Sequence, residues 1–430
     1  MQVEYLVRIS LPDKGWDVNM LEEVCWRAGR EASQRLFLSA LEQRDREVVA
    51  LAEGDNKGKV PRWLTTRLGV IGFRREKVNQ GNGKGSYPLD RAIGLLPRQE
   101  TTLWVKKRAC ELANEYTYRP ATLLLSAEIG DEVSHGTVWS WVQKSGRALR
   151  QEEDQRWKAV FEDGEVFEGE GGEKEIVVTE MDATMLHSQE KGREKLAVKL
   201  GVMYSGKQLE SETAKYKRYR LTEKTLYGGI EKPGEFGEKL YLKGEEKLAL
   251  SKARHLLVLG DGDAWIKNIA EGPYFMATYQ LDWRHLMVKI RQTFSDQPKL
   301  VSELIDYLYS GQDEKMLTTV KLAHLLCEDK DKRQKIADLA AYIGNNRDGL
   351  YGSRSLRGKV KAEKVLVCST GAMEKNVDVV IDRRFKRYGQ SWTTEGVNNL
   401  LKLRTLWYNN GDWDVFWSRQ QSCGVGFSPN

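Results

Sequence analysis

The stretch that decides the fold is Glu175–Leu186, EIVVTEMDATML. It opens on a β-branched apolar run, Ile176-Val-Val, and closes on Met185-Leu186, which reads as a buried strand. Asp182 stands inside that run. A carboxylate in such a place is costly unless it is paired or holds a cation. Downstream, KLAVKLGVMYSG from Lys195 gives a second strand, and the region KYKRYRLTEKTLYGG, residues 215–229, supplies a third. A helical pattern over about 234–254 precedes a fourth strand, HLLVLG, which stops at Asp261. AWIKNIAE then reads as a helix and YFMATYQLD as a fifth strand. Three strands, a helix, a strand, a helix and a strand make an α/β arrangement around a mixed sheet.

Asp261 lies in GDGDAW, where an apolar strand gives way and Gly260 and Gly262 allow a tight turn. Carboxyl ends of strands are where ligands bind in open α/β sheets. Asp263, just before Ala264, reads as an ordinary helix cap. A third acid comes from one of two helix starts. Glu374 begins a helix in which Val377, Ile381 and Phe385 follow on one apolar stripe, so its carboxylate faces the sheet. Glu395 follows Thr393 and Thr394, and an acid in a capped first turn needs no further reason. Glu374 is therefore the third candidate. Three carboxylates offer the hard oxygen ligands that Mg²⁺ or Mn²⁺ prefers, and two such ions suit phosphodiester displacement. In LDWRHL, Asp282 and His285 lie three apart at a strand-to-helix junction and share one face of the first turn.

Upstream, EDGEVFEGEGGEK at 162–174 is acidic, Gly-rich and aperiodic, and reads as a linker. Before it, residues 2–10 alternate as a short strand would, about 20–52 are helical, and TTRLGVIGFRREKV reads as strand, closed by the turn signal GNGKG. LWVKKRACELANEY, from Leu103, reads as an amphipathic helix. TYRPATLLLSAEIGDEVSHGTVWSWVQKSG then gives a helix, a break at Gly130 to Ser134, and a second helix capped by Ser134. That is the layout of a helix-turn-helix, with Ser134, Thr137 and Trp139 at the start of the helix that enters a groove. Basic residues gather at Lys106-Lys-Arg108. Two further clusters interleave aromatics: Lys215, Lys217, Arg218 and Arg220, and Arg383, Arg384, Lys386 and Arg387. Such surfaces track phosphates and stack on bases.

Composition narrows the class. The chain of 430 residues is 40% hydrophobic and 30% charged, as for a globular protein of several domains, and no run approaches the ~20 apolar residues of a membrane span. The N-terminus lacks the layout of a signal peptide. The five cysteines are scattered and never spaced CxxC, which speaks against a disulfide framework or a cysteine zinc site and for a reducing cytoplasm. No P-loop occurs. Net charge is only +6, so the grouping of the cations matters more than their sum.

With these residues in place, the chain resembles bacterial insertion-sequence transposases of the DDE superfamily, in the Mutator-like and hAT-like branch that carries a D/C-x-x-H motif. The matching stretches are TEMDATML, LGDGDAWIKNI, YQLDWRHL and STGAMEKNVDVVIDRRFKRYGQSWTTEG. The resemblance implies an RNase H-like core with an all-helical insertion, preceded by a mostly helical DNA-binding region with a helix-turn-helix. The helical pattern from 283 to 362 and the 113-position gap from Asp261 to Glu374 fit such an insertion. It implies Asp182, Asp261 and Glu374 as catalytic metal ligands, two Mg²⁺ or Mn²⁺ ions, and Asp282 and His285 as supports of the site. Partners would be the terminal inverted repeats, target DNA and further copies of the chain, with no membrane. The expected divisions are a mixed region to 100, a helix-turn-helix domain over 101–161, the linker, core over 175–282, insertion over 283–362, and core again over 363–430. A nuclease or resolvase without strand transfer would use the same acids, and a domesticated DNA-binding protein would have lost them.

Overall fold

The computed structural model of the chain describes residues 6–11, 13–79, 85–169, 171–213, 217–361 and 363–422. Its contacts divide it into two units, one of Met1–Val142 with Gly411–Asn430 and one of Gln143–Asn410. The fold is mixed α/β with a mixed sheet. Among the described residues no helix is long and apolar enough to cross a membrane.

The first unit opens with helix α1 (Val18–Ala50), whose N-cap Asp17 accepts from the Met20 amide at 2.9 Å. Residues 6–10 form neither helix nor strand, because the alternation there has no sheet to join; residues 2–5 of the expected strand lie outside the described residues. Strands β1 (Asp55–Thr66) and β2 (Gly69–Asn79) form an antiparallel hairpin, so GDNKGK lies largely within a strand rather than a connection. The short β3 (Gly85–Ser86) pairs with β2, and α2 (Pro88–Ala92) follows. Leu41, Leu64, Phe73 and Leu89 form a small core between helix and hairpin. Then come α3 (Leu103–Glu115), α4 (Tyr118–Ile129) and α5 (His135–Phe161), the last running on beyond Val142. Gly130 ends α4 in the left-handed region, and Ser134 Oγ accepts from the Thr137 amide at 3.0 Å, so the break and the cap stand where the sequence puts them.

The second unit holds the main sheet. Strands β4 (Lys174–Ser188), β5 (Lys195–Tyr204), β6 (Gly206–Glu212), β7 (Lys217–Thr222) and β8 (Thr225–Gly229) precede α6 (Pro233–Leu248). After it come β9 (Ala253–Gly260), α7 (Ala264–Glu271) and β10 (Thr278–Leu281). The sheet order is β10-β9-β4-β5-β8. β9 runs parallel to both β4 and β10, while β5 is antiparallel to β4 and to β8. The expected third strand divides: its basic half, β7, pairs only with β6 in a separate hairpin, and β8 alone joins the sheet.

Successive strand residues point to opposite faces, which sorts β4 cleanly. Val177 and Met181 enter a core with Phe236 and Leu240 of α6, Val258, Ile266 and Leu281. That core continues through α8 (Trp283–Thr293), α9 (Pro298–Ser310), α10 (Asp313–Leu326) and α11 (Lys330–Asn345), by way of Leu286, Ile290, Leu308 and Ile343. A short α12 (Gly352–Ser355) follows, so residues 283–361 are largely helical as expected. Toward the other face lies α13 (Gly371–Asn376), which passes through a π-helical turn (Val377–Asp382) into α14 (Arg383–Phe385). β11 (Ser391–Trp392) pairs with the end of β4, and α15 (Thr394–Tyr408) lies against β8 at Gly228, where a Cβ would meet Leu401.

β8 is an edge strand, and its exposed backbone is closed by a side chain. Asn409 Oδ1 accepts from the Leu226 amide at 2.7 Å and its Nδ2 donates to the Leu226 carbonyl at 3.0 Å, as a further strand would. Asn409→Ala leaves both buried groups unpaired, and is expected to lower stability by about 2–4 kcal/mol. Thermal unfolding should show a fall of several degrees; an unchanged midpoint would mean that water serves these groups equally well.

Candidate active site

The site follows from strand register. Glu180 pairs with Leu259 across β4 and β9, so two residues further on Asp182 comes opposite Asp261. Leu281 pairs with Gly260 across β10 and β9, and the Asp282 amide donates to the Gly260 carbonyl at 2.8 Å, which brings Asp282 beside Asp261. Neighbouring strands lie about 4.8 Å apart. Three aspartates therefore stand in one row, on one face, at the edge where β9 and β10 end.

Each is held differently. Asp182 is half-buried, and burial raises its pKa to about 6; the charges of Asp261 and Asp263 add to the rise, while the Ala183 amide and His285 oppose it. Asp261 is also raised, by burial first and then by Asp263, against its hydrogen bond from the Asp263 amide. Like charges in a partly dry setting repel: Asp261 adds to the rise at Asp182, and Asp263 to the rise at Asp261. Asp282 is fully buried, and burial works against its charge. Hydrogen bonds outweigh this: from His285 Nδ1 at 2.8 Å, from the Thr370 hydroxyl, and from the Arg284 amide at 2.7 Å. Its pKa falls below the ordinary carboxylate value. The same bond raises His285, helped by the charges of Asp261 and Asp182. His285 is thus held in place by Asp282, with its protonated form favoured by the first two acids.

The turn after β9 requires glycine. Gly262 has φ +99°, and a Cβ there would lie 2.6 Å from the ring of Tyr342, whose hydroxyl donates to the Asp261 carbonyl. Asp263 occupies the N-cap position of α7 without a side-chain cap bond. Its charge instead raises Asp182 and Asp261, so it belongs to the acid group more than to the helix.

Glu374 lies on α13 with its carboxylate on the Arg284 guanidinium. Among the described residues no three His, Cys, Asp or Glu side chains are disposed to hold a metal ion. Asp182 and Asp261 are brought together; Glu374 is anchored to α8 instead. Its stripe is also re-spaced. The π-helical turn buries Val380 beside Ile381, and Arg404 of α15, itself buried, donates to the carbonyls of Val379 and Val380 at 2.5 and 2.6 Å. Glu395 behaves as helix termination predicts: Thr393 caps the Gly396 amide at 3.0 Å, and Glu395 pairs with Arg147 at 2.6 Å.

One acid escaped the sequence reading. Glu180 is fully buried, accepts from Tyr204 Oη at 2.8 Å and from the Met373 amide at 2.7 Å, and is pushed up to about 7 by burial. It shares the Asp182 face of β4 and fastens the first turn of α13. The signal was available: a second acid two residues before Asp182 in the same apolar run.

The basic clusters fare unequally. Arg384, expected among the DNA-facing cations, is instead buried, with its guanidinium 5.3 Å from the Trp392 ring centroid, because the helix turns it inward under β11. Arg383 pairs with Asp378 and Lys386 with Asp382, both still accessible, and Arg387 is exposed. Arg218 pairs with Glu210, and Arg220 is exposed. Lys215 and the side chain of Lys217 lie outside the described residues. In the first unit Trp139 is half exposed, while Ser134 and Thr137 bond to each other at 2.9 Å. Lys107 and Arg108 are neutralised by Asp414 and by Glu111 and Glu128.

Residues 11–421 match the family described as "Uncharacterised protein family (UPF0236)". Relatives in Caldanaerobacter subterraneus subsp. tengcongensis include a UPF0236 protein 24% identical over 427 residues, covering 97% of this chain and 84% of that protein. Another, whose name joins eleven designations, is 23% identical over 419 residues, covering 95% and 81%. In Streptococcus gallolyticus the "UPF0236 protein in vanSb 3′ region" is 22% identical over 389 residues, covering 88% and 80%.

Because Asp182 titrates near 6 in the folded chain, against an ordinary aspartate value of 3.8, folding is penalised once it ionises. The penalty is absent below about pH 4 and complete above about pH 6. Asp182→Asn is therefore expected to be more stable than the parent at pH 8, by about 1–2 kcal/mol after allowance for solvent screening, and the gap should close near pH 4. Unfolding midpoints across that range measure it; a gap that does not change with pH would contradict the placement of the three charges.

Proposed function

The chain belongs to the UPF0236 family, and from its acid row we propose that it is a DNA transposase of the DDE type, cutting and joining strands at terminal inverted repeats. The observation that carries this reading is the placement of Asp182 and Asp261 at neighbouring strand ends, where burial raises both pKa values and the charge of Asp261 adds to the rise at Asp182. Strands β4, β5, β8, β9 and β10 lie in one sheet, and the helical stretch after β10 begins at the D-x-x-H residues. On this reading the sheet is the RNase H-like core and α8 to α11 its insertion.

Two of the three acids stand together in a way that suits divalent ions, and the third lies on Arg284. Asp182 and Asp261 offer hard oxygens whose repulsion a divalent cation would relieve, and Glu374 stands one residue beyond Met373, which is fastened to the Asp182 face. Two Mg²⁺ or Mn²⁺ ions bound there would activate a water or a 3′-hydroxyl and stabilise the leaving oxygen. The chain's own work is placement and charge. Asp182 and Asp261 hold their carboxylates on a rigid sheet. His285, whose protonated form the Asp282 hydrogen bond favours, would offset negative charge beside the reacting phosphate. Thr370 and the Arg284 amide hold the Asp282 carboxylate in place beside His285.

DNA would be gripped elsewhere by the start of α5 around Trp139, in helix-turn-helix fashion, and by Arg220, Arg383, Lys386 and Arg387. Pairing two element ends calls for more than one copy of the chain, working in a bacterial or archaeal cytoplasm. The relative whose one name joins eleven designations in a single organism is what a multiplied element leaves behind, and favours transposition over a resolvase or a retired DNA-binding protein.

Asp182→Ala and Asp261→Ala should each lower joining of a 3′-hydroxyl donor end to plasmid by at least about 10³-fold, while DNA retention at low salt persists. Gel analysis of Mn²⁺ reactions separates joined from merely cut products. Unchanged joining in Asp182→Ala would remove the basis of the proposal.

A further inference from the structure

A groove leads away from the acid row. On α8, His285, Lys289 and Gln292 follow at spacings of four and three, and so share one helix face. On α11, Lys335, Asp338 and Tyr342 do the same. Between these faces lies a cavity of about 360 Å³ lined by Lys289, Gln292, Thr293, Lys335, Asp338 and Tyr342. Tyr342 closes its inner end, with its hydroxyl on the Asp261 carbonyl and its ring beside Gly262. The Lys289 ammonium sits 4.7 Å above that ring. Among the described residues, neither Lys289 nor Lys335 has a carboxylate within ion-pair distance. The single acid on the wall, Asp338, accepts a hydrogen bond from Gln334 at 2.8 Å.

Lys289 and Lys335 are exposed on the two walls of one cleft, and cations so placed beside the acid row offer an anion contacts from both sides. From His285 to Thr293 the helix rises roughly 12 Å, at ~1.5 Å per residue. At about 3.4 Å per nucleotide of one strand, that length seats three to four nucleotides. We propose that this groove is a DNA subsite for the strand that continues from the reacting phosphate. Lys289 and Lys335 neutralise its backbone phosphates, and Gln292 and Thr293 donate hydrogen bonds to them. The inference rests on the strand-transfer reading for the identity of the ligand, and on the groove alone for its location. It gives the helical segment a task that hydrophobic packing leaves unexplained.

The test is the salt dependence of binding to a synthetic duplex that ends in a 3′-hydroxyl, measured without divalent metal so that chemistry plays no part. The double variant Lys289→Ala/Lys335→Ala should bind on the order of tenfold more weakly at moderate salt. The slope of log K against log salt should become shallower by about 2, near 0.9 for each phosphate no longer neutralised. Lys289→Arg/Lys335→Arg should keep the parent slope, which guards against misfolding as the cause. An unchanged slope in the alanine variant overturns the subsite, even where the parent joins DNA in an Asp182-dependent way. A shallower slope with joining that ignores Asp182→Ala upholds the subsite as a DNA seat and overturns the catalytic reading instead.

Discussion

Everything at this site depends on one electrostatic constraint: Asp182, Asp261 and Asp282 stand side by side on adjoining strands, too close and too dry to be charged without compensation. The chain compensates one of them completely. Asp282 accepts from His285, Thr370 and the Arg284 amide, and so remains ionised in the interior. The other two have one backbone amide each, from Ala183 and Asp263, with His285 beside them, and their pKa values stay high. A protein that merely needed stability would place amides or apolar residues at these positions. Two under-compensated carboxylates at the open end of a sheet are what the proposed cation site rests on.

The same constraint explains how the surrounding helices are fastened. Buried acids serve as anchors: Asp282 caps α8 and ties it to Thr370, and Glu180 accepts from the Met373 amide at the start of α13. Glu374 is therefore presented by a helix whose first turn is bonded to the strand bearing Asp182. Beyond it, the π-helical turn changes the spacing of the apolar residues, and buried Arg404 serves the carbonyls at that turn. The Arg284–Glu374 pair, both partners half exposed, is a weak interaction that a stronger cation would displace.

Much of this was legible in the sequence, for identifiable reasons. The strands of the second unit announce themselves because parallel, doubly covered strands such as HLLVLG are continuous apolar runs, and an acid inside or at the end of one stands out. The break between α4 and α5 was legible because glycine and serine have fixed roles there. What failed depended on distant partners. The split of residues 215–229 between two sheets turns on whether β6 or β5 is available to pair, which no local pattern states. Arg384 looks like a surface cation until Trp392 is placed beside it. Tyr342 joins the site from 81 residues away with no motif to mark it, and the π-helical turn defeats a stripe counted at 3.6 residues.

The central claim is that Asp182 and Asp261 share a cation with Glu374. It is tested most directly by an anomalous-scattering map of crystals of the full chain grown with Mn²⁺. The account predicts Mn²⁺ within coordination distance of both aspartates, with the Glu374 carboxylate released from Arg284 and turned toward the metal. Mn²⁺ absent from the Asp182–Asp261 pair at saturating concentration, with Glu374 still on Arg284, would contradict it.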